Sequence, residues 1–87
     1  MDKEVFRNSL LKILDGNRAR YGLGVMALQA NLIRFGVTAA QETEVLDGVG
    51  YLTEKGLIEE VPRLVNRENR TWRITTRGIA YIDENNL

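Results

Sequence analysis

The 87-residue sequence predicts a single α+β domain: three helices, then a two-stranded hairpin, then a short closing helix. Three observations carry this reading. Apolar residues recur at helical spacing through residues 3–55, short alternating segments rich in arginine follow, and glycines stand where the pattern breaks. With 44% hydrophobic residues the length suits one core and is too short for two. The expected boundaries are helices over 3–15, 25–35 and 38–55, a hairpin over 57–76 and a closing helix over 77–84.

In the first helix Phe6, Leu10, Ile13 and Leu14 fall on one face, with Asp2 placed to cap the start and Gly16 to end it. "RARYGLGV" has no helical period and reads as a connector, with a short extended segment at Tyr21 to Leu23. The second helix resumes the period through Leu28, Leu32 and Phe35 and stops at Gly36. Thr38 and Gln41 have the spacing of a capping box and open the third helix. Its apolar side runs through Val45, Leu46, Val49 and Leu52, and Gly56 ends it. Gly48 and Gly50 lie inside this helix at a cost of ~1 kcal/mol each relative to alanine, which points to close packing or plain tolerance.

After Gly56 come the strand-like segments "LIEEVP" and "RTWRITT". In the second, Trp72 and Ile74 share one face, which makes Trp72 a core residue, and Arg73 faces the other way. Pro62 cannot donate to a ladder and belongs at a strand end or an unpaired edge. Asn66 and Asn69 suit the turn between the strands. Ile79 and Ile82 give the closing helix its apolar side.

The chain has no cysteine and no histidine, which removes disulfides, thiolate chemistry, the usual zinc ligand sets and the commonest general base. Ser9 has no histidine to activate it, Glu59 and Glu60 are adjacent on a strand and point to opposite faces, and the glycines around Leu23 lack the lysine of a phosphate loop. Neither an enzymatic role nor a cofactor is therefore expected. "MDKEVFRNSLLKIL" mixes charge into its apolar positions, so neither a signal peptide nor a membrane span is expected, and the reading is a cytoplasmic protein.

The stretch "YLTEKGLIEEV" followed by "RTWRITTRGIAYI" resembles the end of a winged-helix domain of the PadR, ArsR and MarR type of bacterial regulator. In those proteins a leucine-rich third helix ends in a lysine-glycine-leucine-isoleucine pattern. The second wing strand then runs aromatic, basic, aliphatic, threonine into an arginine-glycine or lysine-glycine pair. Leu52, Gly56, Leu57, Ile58, Trp72, Ile74, Thr75 and Gly78 occupy those positions, and the resemblance extends over residues 3–84. The chain is also similar to short winged-helix proteins of Mu-like phages and prophages. The resemblance implies a winged helix with a three-helix core, a C-terminal β-hairpin wing and a closing helix. It further implies a DNA-binding regulator whose third helix enters the major groove while the wing tracks phosphate.

Charge distribution qualifies that implication. The formal net charge is zero, but residues 18–36 are net +3, residues 41–60 net −5 and residues 61–79 net +4. The third helix offers Ala40, Thr43, Glu44, Asp47 and Tyr51 opposite its apolar side, without the arginine, lysine, asparagine or glutamine that read guanine and adenine. DNA contact is expected instead through the wing arginines Arg63, Arg67 and Arg70, flanked by Arg18 and Arg20, which supply affinity rather than base choice. The same arginines would also serve to keep a hairpin edge from aggregating. Homodimerisation is expected, with Tyr51, Tyr81, Val5 and Phe6 as contact residues. The alternative function is a protein-interaction or dimerisation module that binds no DNA and docks a partner on the acidic face of Glu44, Asp47 and Tyr51.

Overall fold

The computed structural model describes residues 2–18, 21–37, 40–62 and 70–87. Helix α1 spans Lys3–Gly16, strand β1 Leu23–Gly24, α2 Val25–Arg34, α3 Glu42–Glu54, β2 Ile58–Glu60, β3 Thr71–Ile74 and α4 Thr76–Glu84. The architecture is α+β: four helices and a small antiparallel sheet in the order β1-β3-β2. Leu10, Leu14, Leu28, Leu32, Val45 and Val49 interlock between the first three helices, and Ile58 and Trp72 close the core from the sheet.

Helix α1 starts where Asp2 accepts a hydrogen bond from the Glu4 amide at 2.8 Å, satisfying one of the orphan donors of the first turn. At the end of α3, Gly56 adopts φ +74, a left-handed conformation that a Cβ resists. The Gly56 amide then donates to Thr53 and the Leu57 amide to Leu52, a Schellman closure that also buries Leu52 against Leu57. The chain is thereby turned directly into β2.

Three elements differ from the sequence expectation. Helix α3 begins at Glu42 rather than residue 38. Gln41 is extended at φ −80 and ψ 156, and the Glu44 carboxylate accepts from its backbone amide at 3.1 Å, so the reciprocal cap lies at Gln41 and Glu44. Thr38 is outside the described residues, and Ala40 precedes the helix, where its carbonyl accepts from the Gln29 side chain. The expected two-stranded hairpin is the larger part of a three-stranded sheet, because Leu23 pairs with Trp72 and Gly24 with Thr71. Helix α4 starts at Thr76, one residue early, because the Thr75 hydroxyl accepts from the Gly78 amide as an N-cap.

Phe35 also departs from its expected place in the core. The second helix ends at Arg34, so Phe35 leaves the helical cylinder and stands 45% exposed, with the Lys12 ammonium 5.7 Å from its ring centroid. Trp72 is buried in the central strand, as its alternation with Ile74 implies. Pro62 follows β2, an edge strand, where no ladder needs its missing donor. Gly48 and Gly50 separate into two cases. A Cβ on Gly48 would lie 2.5 Å from Leu10 Cδ1 and 3.3 Å from Phe6 Cε1, whereas Gly50 faces open space. Among the described residues no helix is long and apolar enough to cross a membrane.

Candidate functional site

Strands β2 and β3 pair so that Glu59 faces Arg73, Glu60 faces Trp72 and Ile58 faces Ile74. That register decides what Arg73 of β3, and Arg70 just before the strand, meet. The Arg73 Nε donates to Glu59 Oε1 at 2.6 Å, and Arg70 forks onto Glu60, with Nη2 at 2.9 Å and Nε at 3.3 Å from both carboxylate oxygens. Adjacent strand residues point to opposite faces, so Arg70 and Arg73, three apart, sit on different faces of the sheet. The Arg70 guanidinium also lies 5.1 Å from the Trp72 ring centroid. The hydrogen bond that Arg70 donates to Glu60, and then the charge of that carboxylate, raise the Arg70 pKa above the ordinary guanidinium value.

Of the five expected phosphate contacts, Arg70 and Arg18 fall within the described residues, and both are paired to carboxylates. Arg18, just beyond α1, donates through Nε and Nη2 to Asp15 Oδ1 at 3.0 and 2.6 Å. Arg63, Arg67, Arg20, Asn66 and Asn69 lie outside the described residues. Surface pairs of this kind contribute ~0–1 kcal/mol, so they orient a guanidinium without tying it down against a stronger anion.

The acidic face of α3 is as the helical wheel requires. Glu42, Thr43, Glu44, Asp47 and Glu54 are exposed, and among the described residues no cation pairs with any of these four carboxylates. Glu44 is committed to the cap at Gln41. Tyr51 is 37% exposed, with the Arg7 guanidinium carbon 3.6 Å from its ring centroid. Tyr81 is half-buried against the core instead of standing on an exposed face, and Phe6 is half-buried beneath Gly48, which leaves Val5 and Tyr51 as the exposed members of the expected dimer contact.

A second feature was not visible in the sequence. A groove of about 370 Å³ runs between α1, α3 and α4, lined by Arg7, Tyr51, Lys55, Arg77 and Tyr81, with Glu4 at its edge. Counting charge by segment hides it, because Lys55 is entered against the acidic third helix, Arg77 with the wing, and Arg7 with neither. Among the described residues no group of histidine, cysteine or carboxylate side chains is arranged to hold a metal ion. Comparison with known proteins finds no matching family model, no similar curated protein and no similar solved structure.

Proposed function

We propose that the chain is a winged-helix module that contacts the duplex DNA backbone through the β2–β3 end of its sheet, without reading bases through its third helix. Arg70 is the observation that supports this reading most directly. It stands at the start of β3 with its side chain 51% exposed, splayed between Glu60 and Trp72 so that its fork is held ready for an oxyanion. A phosphate that displaced Glu60 would replace a weak surface pair with a charge-assisted one. The element order of three helices, antiparallel strands and a closing helix is compatible with this layout. The four exposed carboxylates of α3, none of them paired with a cation among the described residues, argue against major-groove entry, because they would face a wall of phosphates.

The module acts in this reading as a homodimer, a small regulator or phage accessory factor, with its two wings about one turn of DNA, ~34–36 Å, apart. Fluorescence anisotropy of a labelled random-sequence duplex over a salt series tests it. Binding should weaken steeply with salt, and the slope should shrink by about two units in the Arg67→Ala/Arg70→Ala variant. No binding at low salt sinks the DNA reading. Light scattering on the same samples tests the dimer, which a monomer at the binding concentrations would refute.

The acidic face of α3 favours a second reading, in which the same fold docks a basic protein segment and touches no DNA. Binding of an oligolysine peptide that is lost in Glu44→Gln/Asp47→Asn, in a protein that ignores duplex DNA, would establish that reading over the first.

A further inference from the structure

We infer that the groove between α1, α3 and α4 is a binding site for a small organic phosphate monoester, separate from any DNA contact at the sheet. The groove gathers three cations, Arg7, Lys55 and Arg77, against the single carboxylate of Glu4. Among the described residues none of the three has a carboxylate within ion-pairing distance, whereas Arg18, Arg70 and Arg73 each do. The uncompensated charge matches a terminal phosphate, which carries about −1.5 to −2 near pH 7. A diester carries only one charge per phosphate.

The cations are placed by the fold rather than by chance of side-chain reach. Arg7 comes from α1 and lies on the Tyr51 ring of α3 at 3.6 Å, with the Lys55 ammonium 5.5 Å from the same centroid. The two charges therefore sit within about one Debye length, ~10 Å at 0.1 M salt, of each other and repel. An anion bound between them relieves that repulsion. Arg77 belongs to the first turn of α4, and its stem crosses the end of α3, with Cδ 3.6 Å from where a Gly56 Cβ would stand. Thr75 fixes that crossing: its hydroxyl donates to the Gly56 carbonyl at 2.7 Å and accepts from the Gly78 amide at 3.1 Å.

The remaining walls suit the organic part of such a ligand. Leu52 and Leu57, both buried, and the half-exposed Tyr51 and Tyr81 also line the groove, which gives it apolar wall beside the cations. The volume falls in the range of small-molecule sites, ~300–1,000 Å³. A compact dianion on a flat apolar body fills both parts at once.

The test is a titration of the whole chain with phenyl phosphate at low salt, followed by calorimetry and by amide chemical shifts. Saturable one-to-one binding is expected, with shifts clustered at Tyr51, Lys55, Arg77 and Tyr81. Affinity should fall ~10-fold or more in Arg77→Gln and in Lys55→Gln, each of which removes a charge-assisted contact. Lys12→Gln, whose ammonium stands by Phe35 outside the groove, should bind as the parent does. Inorganic phosphate should bind more weakly than phenyl phosphate, and phenol not measurably. Lys55 and Arg77 are both exposed, and thermal melts of their variants confirm that any loss is not unfolding. Absence of binding, shifts elsewhere on the chain, or affinity untouched by both substitutions would overturn the inference. So would displacement of phenyl phosphate by a duplex without terminal phosphates, since that would give the groove to the diester backbone. Failure of the duplex to bind at all leaves this site standing and removes only the DNA reading.

Discussion

Gly48 and Gly50 sit two residues apart in the same helix, and alanine should act on them with opposite sign. Both substitutions gain ~1 kcal/mol of helix propensity. At Gly50 nothing lies within 4 Å of the new methyl, so the gain stands alone. For a domain of this size that raises the melting temperature by ~4–8 °C. At Gly48 the methyl would meet Leu10 Cδ1 at 2.5 Å and Phe6 Cε1 at 3.3 Å. Leu10 is fully buried, so the Leu10 side chain must shift within a packed core or α1 must move away from α3, at an overpacking cost of ~1–3 kcal/mol. The net effect at Gly48 runs from neutral to ~2 kcal/mol destabilising, and the gap between the two variants is ~1–3 kcal/mol. Urea denaturation followed by fluorescence of the single tryptophan, Trp72, measures that gap. Gly48→Ala as stabilising as Gly50→Ala would refute the claim that this glycine sets the distance between α1 and α3. The distance also has a functional consequence, because α1 carries Arg7 onto Tyr51. Gly48→Ala should therefore weaken phenyl phosphate binding, while Gly50→Ala leaves it unchanged.

Trp72→Ala should cost ~3–5 kcal/mol, a large part of the ~5–15 kcal/mol available to a small domain, and circular dichroism must follow it because the fluorescent reporter is gone. Thr75→Val removes the cap of α4 and the donor to the Gly56 carbonyl together, for an expected loss of ~1–3 kcal/mol in urea denaturation, whereas Thr75→Ser should retain most of it. Glu60→Gln should change stability by less than ~1 kcal/mol yet tighten duplex binding in the anisotropy assay, since it frees Arg70. Weaker binding in Glu60→Gln would contradict the placing of Arg70 on phosphate. Arg70, whose pKa Glu60 raises further, is charged throughout pH 6 to 8, so a pH dependence of duplex binding in that range would have to come from some other group.

The parts of the fold legible in the sequence are those decided within a few residues. Asp2 caps α1 through its own side chain, and Gly56 closes α3 by its own backbone conformation, so the local pattern finds both. The start of α3 misleads because two overlapping windows carry capping chemistry. Thr38 with Gln41 is the better statistical box, but α3 starts at Glu42 and its cap is Gln41 with Glu44, although glutamine is not among the favoured N-cap residues. Strand β1 is two residues long and shows no alternation of its own. The extended segment expected at Tyr21 to Leu23 overlaps it at Leu23, but its pairing lies with Trp72, 49 positions away, and no local window spans that distance.

Charge is likewise decided by pairing across the fold. Counting by segment makes residues 61–79 strongly basic, because their arginines are dense in sequence. In space Arg73 of β3 and Arg70 just before it each meet a glutamate on β2, since the antiparallel register sets Glu59 opposite Arg73 and brings Glu60 to Arg70. The sequence places those glutamates in an acidic run and the arginines in a basic one, and folding cancels the two against each other. The converse holds in the groove. Arg7, Lys55 and Arg77 belong to three unremarkable stretches; the packing of α1 on α3 brings in Arg7, the Schellman turn at Gly56 and the Thr75 clasp bring Arg77 to Lys55, and among the described residues no carboxylate pairs with any of them. Free positive charge on this protein is thus a property of how strands and helix ends meet. Among the described cations, Arg7, Lys55 and Arg77 are gathered in one groove and none of them is ion-paired to a carboxylate, whereas Arg18, Arg70 and Arg73 each are.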